Sequence, residues 1–402
     1  MPQLSRPPAR PAWALSLALG ALLAAAPAVP AHAAGVAQAI TDGKVSVDLR
    51  YRYQRVDQSG IAEDAKASTL RTRLGYHTGE AARSAVFLEF ESVATLGPDD
   101  YNSTTNGLTT YPVVADPKGT EINQAYLEQH PSEGVTLKLG RQRIALDDGR
   151  FVGDEGWRQN QRTFDAVSVE DAHNPDVVFT YAYLRTVNDT DGTDRAHDSH
   201  LIHVGTHGRT LGDVSLFAYF VNDNDAPATA SQTYGARYAG RISKGDKGHT
   251  LLTVAYARQG EMANSGVGSN DYMLGELGSE GNRLSGKVTY EVLGGDGTSA
   301  FSTPLGSNHG FDGWADRFAA TPPDGLVDLA FTLGAKVAGA QTAAVYHQFK
   351  ADSGGADYGT EWDLSAEKRV GAHTFGVAWA AYNADGFATD TEKLWVYAGA
   401  SF

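Results

Sequence analysis

Val45-Ser46-Val47-Asp48-Leu49-Arg50-Tyr51-Arg52-Tyr53-Gln54 alternates without a break. Val45, Val47, Leu49, Tyr51 and Tyr53 fall on one face of an extended chain, and Ser46, Asp48, Arg50, Arg52 and Gln54 on the other, because successive strand side chains point to opposite sides. A helix would scatter both sets around its circumference. The same period of two recurs at Thr69–Thr78, Tyr234–Ile242, Leu284–Val292, Tyr358–Glu367, Thr374–Tyr382 and Lys393–Phe402. At Glu121–Gln129, Thr163–Glu170 and Leu251–Arg258 small residues occupy both faces, and the register is open.

The spacers between such segments alternate in length. Short turns are expected at Gly79–Arg83, His130–Glu133, Ala172–Asn174, Arg209–Leu211, Ser243–Lys247, Glu280–Asn282, Lys336–Ala338 and Val370–Gly371. Between them lie longer polar connections, the largest at Thr95–Thr120, Arg143–Arg162 and Gly294–Pro323. This asymmetry predicts an all-β fold, a transmembrane antiparallel up-and-down β-barrel of about eighteen strands, or sixteen on a lower count. An even strand number returns both termini to the same side. Leu394, Val396, Ala398, Ala400 and Phe402 share a face of the last strand, and this aromatic C-terminus resembles the signal by which outer-membrane barrels are recognised by their assembly machinery, an expected partner. Tyr51, Tyr53, Tyr181, Tyr183, Tyr234, Tyr358 and Trp362 gather toward the proposed outer rim, as interfacial girdles do.

Composition agrees with the pattern. The 402 residues carry a formal net charge of −15, against the basic footprint of a nucleic-acid binder, and no cysteine, which removes disulfide frameworks and thiolate chemistry. Arg6 and Arg10 precede an apolar run from Trp13 to Ala26, and Ala31-His32-Ala33 supplies small residues for cleavage. Residues 1–33 are therefore expected to be a secretory signal peptide, and residues 34–402 a single barrel domain in the outer membrane of a Gram-negative bacterium.

If the apolar faces meet lipid, the lumen receives Arg50, Arg52, Arg71, Arg73, Lys138, Arg237, Arg241 and Lys287, together with Asp48, Glu89, Glu91, Glu291, Glu361, Asp363 and Glu367. About eighteen strands enclose a lumen too wide for side chains alone to fill. Opposed basic and acidic wall segments would set a transverse field across a wet constriction and orient polar solutes. The four arginines of the first two strands are expected to form a basic wall that contacts solute. The long connection from Gly294 to Pro323 carries Phe301, Phe311, Trp314 and Phe318, whose exposure would be costly, and is expected to fold inward.

Gly140-Arg141-Gln142, followed by Trp157-Arg158-Gln159-Asn160-Gln161-Arg162-Thr163-Phe164-Asp165, resembles the alginate-export family of outer-membrane porins. So does His309-Gly310-Phe311-Asp312-Gly313-Trp314-Ala315-Asp316-Arg317-Phe318, followed by Thr321-Pro322 and Gly325-Leu326-Val327-Asp328. The resemblance implies an outer-membrane channel, in the type case for a polyuronate. It places Arg141, Arg158, Arg162 and Asp165 in or near the loop that lines the passage, and Trp314, Asp316 and Arg317 in a second inward or capping loop.

The function expected is passive diffusion of hydrophilic, anionic or sugar-like solutes. The alternatives are a barrel-embedded enzyme and a structural or adhesive barrel acting through its outer loops. No G-x-S-x-G elbow, H-E-x-x-H helix or P-loop occurs. No cofactor or fixed metal is expected. Asp189-x-Asp191-Gly192-x-Asp194 resembles half of a calcium loop but lacks the bidentate Glu. Ca²⁺ or Mg²⁺ at the acidic outer loops, bridging to lipopolysaccharide, is the remaining cation role; the expected partners are that lipopolysaccharide, membrane lipid and small solutes.

Overall fold

The structure, a computed structural model, describes residues 33–402 except 246 and 247. The expected signal peptide, all but Ala33, lies outside the described residues. A short helix, α1 (Ala33–Thr41), precedes eighteen strands. These are β1 (Lys44–Gln58), β2 (Ala65–His77), β3 (Ser84–Asp100), β4 (Gly119–Gln129), β5 (Val135–Gln142) and β6 (Thr163–Asn174), then β7 (Val177–Asn188), β8 (Asp194–Thr206), β9 (Asp213–Val221), β10 (Ser231–Ser243), β11 (His249–Glu261) and β12 (Asn270–Glu280). β13 (Leu284–Leu293), β14 (Leu326–Val337), β15 (Ala340–Lys350), β16 (Asp357–Val370), β17 (His373–Ala384) and β18 (Thr391–Ser401) complete the set.

Every strand pairs antiparallel with its sequence neighbours, and β1 pairs with β18, so the sheet closes on itself and leaves no edge. Tyr53 stands opposite Val396 and Asp48 opposite Ser401 across this seam. Beyond the last strand residue, Phe402 exchanges both backbone hydrogen bonds with Val47, at 2.9 and 3.0 Å. Its ring is exposed on the outer face. The final residue therefore lengthens the seam by one complete rung.

The alternation of β1 survives in the fold. Arg52, Gln54 and Val56 are buried on the lumen side, while Tyr51 and Tyr53 face out. Elsewhere the outer face exposes Leu74, Val254, Leu277, Val288, Leu333 and Leu364, as lipid contact requires of a barrel. The eight short turns fall at one end of the barrel, each within a few residues of its expected place, and the long connections at the other. α1 was not anticipated. Its alanine-rich sequence suits a helix, and its Ala39 carbonyl accepts from Gly79 N, in the turn after β2, at 2.8 Å.

One expected rim aromatic turns inward. The register of β16 shifts between Phe349 and Lys350 of its partner strand, so Tyr358 is an extra residue. A bulge of this kind reverses the side of what precedes it. The neighbouring Gly359 takes φ 136°, which only glycine tolerates easily. Tyr358 is accordingly buried in the lumen, 4.9 Å from the Phe387 ring and 5.9 Å from Phe318, instead of joining Trp362 outside.

The seam gives the first prediction. Deleting Phe402 removes two ladder bonds, each worth ~1 kcal/mol net, and lowers the recovered fraction of heat-modifiable, folded barrel. Recovery equal to that of the full chain would show that the terminal rung is dispensable.

Candidate functional site

Two of the long connections leave the rim and fold into the barrel. The 143–162 loop lies against the β1–β2 wall. The guanidinium of Arg50 donates to Gln159 Oε1 and to the Gly156 carbonyl, both at 3.0 Å, and to the Arg158 carbonyl. Arg52 donates to the Trp157 carbonyl at 2.7 Å and to Asp116, which reaches in from the 101–118 loop and also accepts from Gln159 N at 2.8 Å. Burial raises the pKa of Asp116, but the charges of Arg52 and Arg158 prevail and hold it below its usual value. Arg71 is paired with Asp48 and Arg73 with Glu91.

The 294–325 loop is held by a separate, acidic arc. Glu291 on β13, Asp328 on β14 and Glu361 and Asp363 on β16 face the lumen, with His347 of β15 donating to Asp328 at 2.8 Å. The loop offers its backbone amides to them. Ala315 N donates to Glu361 at 2.6 Å and Trp314 N to Asp363 at 3.3 Å. Gly313, at φ 84°, brings the chain so close that a Cβ would lie 2.5 Å from Glu361 Oε2. Phe301 and Phe318 are buried, as expected of an inward fold: Phe301 packs on Tyr272 and Phe151, Phe318 on Phe349 and Tyr382.

The two loops clasp one another in the lumen. Val152 and Leu305 form a backbone bridge, and Gly153 N donates to the Leu305 carbonyl at 2.8 Å. Arg150 joins Glu291 to Asp312, at 2.7 Å each. Asp316 accepts from Arg158 at 3.1 Å, from His309 at 2.8 Å and from Lys393 of β18 at 2.6 Å. Trp157 stacks on His309, with centroids 4.9 Å apart and planes 5° from parallel. Burial, aided by the Arg158 and Lys393 charges, pushes His309 below its ordinary pKa against the pull of Asp316. Burial works against the Asp316 carboxylate, yet its cations hold it well below the usual range.

The clasp divides the lumen. Toward the long loops a cavity of about 310 Å³ is lined by Asp189, Arg195, His197, Asp223, Pro304 and Phe318 among others. Toward the short turns a second, of about 460 Å³, is lined by Asp148, Glu155, Trp157, His309, Phe311, Trp314, Ser365 and Tyr397 among others.

The sequence-predicted site residues divide into groups. Arg50, Arg52, Arg71, Arg73, Arg237, Arg241, Lys287, Glu361 and Asp363 do face the lumen. However, Arg52, Arg71, Arg73, Glu361 and Asp363 are buried, because the walls and inward loops consume their hydrogen-bonding capacity, and they do not form a free solute-contacting surface. Arg237 is held by Asp148 at 3.0 Å. Arg241, paired with Glu280, and Lys287, paired with Glu276, keep 57% and 38% of their side chains exposed. Arg158 and Arg162 lie in the inward loop, Arg162 bonding Asp189 and the Gly306 carbonyl. Arg141 and Asp165 are a correction. They pair at 2.8 Å on the outer face, on the parity of the exposed Leu139, and line no passage. Trp314, Asp316 and Arg317 lie in the second inward loop, Arg317 reaching Gln58 at 3.5 Å. The basic and acidic arcs are also not opposed, since only β17 and β18 separate β16 from β1.

Reading the sequence overlooked Asp116, Arg150 and Lys393. The parity of β18, with Leu394 outward, would have placed Lys393 inside. A lone Asp in Pro112-Val113-Val114-Ala115-Asp116-Pro117 carries no such signal. Among the described residues no group of three or more His, Cys, Asp or Glu is arranged to hold a metal. Asp189 instead accepts from Arg162, and Asp191 caps Thr193.

A closed eighteen-strand barrel with loops folded into its lumen is a porin-like channel of the outer-membrane type. The chain belongs to the alginate export family, which matches residues 41–273, more than half its length. Similar folds occur in Acinetobacter baumannii OccAB2 (TM-score 0.71, 14% identity, 91% of this chain and 99% of that one) and in Pseudomonas aeruginosa OccK9, also called OpdG (TM-score 0.69, 15% identity, 90% and 99%). The outer-membrane protein OpdK of P. aeruginosa, solved with vanillate, is similar too (TM-score 0.68, 12% identity, 90% and 99%). No curated protein sequence matches the chain.

Two predictions concern the clasp. Replacing Arg150 by Met leaves Glu291 without its cation and Asp312 without its donor, and breaking a buried pair such as Arg150–Glu291 costs ~3–5 kcal/mol. Single-channel conductance is expected to rise severalfold while the barrel stays heat-modifiable; an unchanged conductance would mean that this link does not hold the loops.

Asp312 sets a pH dependence. Burial, with the like charges of Glu291 and Asp328, outweighs Arg150 and pushes its carboxyl from 3.8 up to about 8. A group whose pKa is raised on docking stabilises the docked loop below its free value. That contribution is lost as pH rises through the window from 3.8 to about 8. Conductance should therefore climb through this window, and Asp312→Asn should flatten the climb. A climb of the same size in the variant would remove Asp312 as its source.

Proposed function

We propose that the protein is a passive outer-membrane channel of a Gram-negative bacterium, admitting small hydrophilic solutes of the anionic or sugar-like classes. The observation that carries this reading is the clasp itself: two loops narrow an otherwise wide barrel and leave on each side a cavity in which charged and hydroxyl groups share the lining with apolar surface. Charged or hydroxylated solutes can exchange water for the polar groups of such walls. OpdK, solved with vanillate, is a barrel of this fold that holds a small carboxylate, in keeping with the size class. Orientation follows from the loops: short turns in the periplasm, long connections outside, where their carboxylates would meet divalent cations and lipopolysaccharide. Phe402 would be the handle for the assembly machinery.

The enzyme reading has a trio to consider where the 143–162 loop meets β8 and β9. Asp147 accepts from Ser215 at 2.6 Å and pairs with His203 at 3.0 Å in the lumen. The carboxylate stands between the other two, so the imidazole cannot take the serine proton, as an activated nucleophile requires. The arrangement anchors the 143–162 loop to β8 and β9.

Purified protein in planar bilayers should show stable, salt-proportional conductance steps, and deletion of residues 308–320 should raise the step severalfold. Folded, heat-modifiable protein that carries no current would overturn the channel reading.

A further inference from the structure

The chain that leads into β1 lies against the outer face of the wall. Tyr76 stands in register with Val45 of β1 and Leu88 of β3, on the outward parity of β2, two residues beyond the exposed Leu74. Its phenol donates to the Ile40 carbonyl, and a Cβ on Gly43 would collide with the same ring. α1 and the two residues after it are therefore fixed to the outer side of the barrel, at the end that carries the short turns. The buried Ala39 completes the seat, its carbonyl taken by Gly79 N at 2.8 Å.

The seat uses only part of the helix. Val36 and Ile40, one turn apart, form a stripe beside Ala39, while Gln38 and Thr41 lie on the far side. Val36 and Ile40 remain 44% and 56% exposed, and residues 33–41 carry no charged side chain. The polar side satisfies itself: Gln38 Nε2 donates to Asp42 at 2.7 Å, and Thr41 Oγ1 to the Gln38 carbonyl at 2.9 Å. The chain then enters β1 through Val45, itself exposed on the lipid-facing side. An apolar stripe that continues the lipid band, with a polar side opposite, is the pattern of a helix lying in a membrane interface. Nine residues span only ~14 Å, too short to cross a hydrocarbon core of ~30 Å.

We infer that α1 is an interfacial foot: its Val36–Ile40 stripe rests in the headgroup boundary of the leaflet on the short-turn side, and lipid is the partner of this surface. This rests on the outer wall of the barrel facing lipid, and it adds a helical contact with the same bilayer. Because the segment is uncharged, it binds through apolar area and does not require anionic lipid. Lipid also accounts for the formation of so short a helix, which would be marginal in water alone. Tyr76 and Gly79 hold its C-terminal end, and the bilayer holds its open side.

The absence of cysteine allows a nitroxide to be placed at single introduced cysteines in the full chain. Val36→Cys, Ile40→Cys, Gln38→Cys and Val45→Cys are labelled, reconstituted in phosphatidylcholine vesicles and compared by spin relaxation with oxygen and with a water-soluble nickel chelate. Oxygen concentrates in hydrocarbon, so its advantage over nickel at residues 36 and 40 should exceed that at residue 38 about threefold or more and approach that at residue 45. Adding Ile40→Asp beside the label at residue 36 should bring that ratio down to the value at residue 38, because a carboxylate draws the stripe out of the boundary. Ion conductance, which reports the intact barrel, should not change. Ratios at residues 36 and 40 equal to that at residue 38 would overturn the inference. So would labels shielded from both reagents, which would put a second copy or another part of the protein on the stripe. If residue 45 also favours nickel, the lipid-facing reading of the wall fails with it; if residue 45 favours oxygen and residues 36 and 40 do not, the foot alone fails.

Discussion

Charge that faces the inside of a wide barrel must find either water or a partner, and this constraint organises the rest of the molecule. Eighteen strands enclose more space than their own side chains can fill. The β1–β2 wall brings four arginines inward and the β13–β16 wall brings four carboxylates, with one histidine between them. Each arc recruits a loop of suitable polarity. Arginines take loop carbonyls and Asp116; carboxylates take loop amides and, through Glu291, Arg150. The ion pairs between the loops then join the two halves. Removing either arc would leave its loop with unpaired backbone groups in a partly dry interior.

The fold was legible because a membrane barrel writes its period on every strand. β1 shows this best: lipid requires Leu49, Tyr51 and Tyr53 outside, and the lumen accepts Arg50 and Arg52. The short turns were legible for a related reason, since polar breaks between such runs have no other place. Legibility stopped where period two stops. Tyr358 was misplaced because one extra residue in β16 shifts its side, and Gly359 alone gives no warning of which side results. Arg141 was misplaced because the resemblance put it in a loop, whereas counting from Leu139 puts it outside.

The candidate site was legible by residue type but not by partnership. Trp314, Asp316, Arg158 and Arg162 could be assigned to inward loops, and the aromatic content of the 294–325 loop gave a physical reason. What could not be read was that Asp316 collects three donors from three different segments, two of them over seventy residues away. Pairings at such separation follow from which strands adjoin in the closed barrel and how deeply each loop descends. Neither quantity has a local sequence signature.

The two stretches through which the sequence resembles its family, 157–165 and 309–318, are largely the two halves of the clasp. Their arginines and aspartates are used up on one another and on the walls. A resemblance carried by such residues specifies that the lumen is narrowed and by what bonds; it is silent about what crosses. The surface a solute meets on the inner side is lined by other side chains, among them Trp314, Ser365, Tyr397 and the Asp148 that Arg237 holds. Arginines counted on a lumen wall are therefore a poor guide to anion preference in this barrel, because those of the basic arc hold protein. Solute preference has to be argued from the groups that line the two cavities once the clasp has formed.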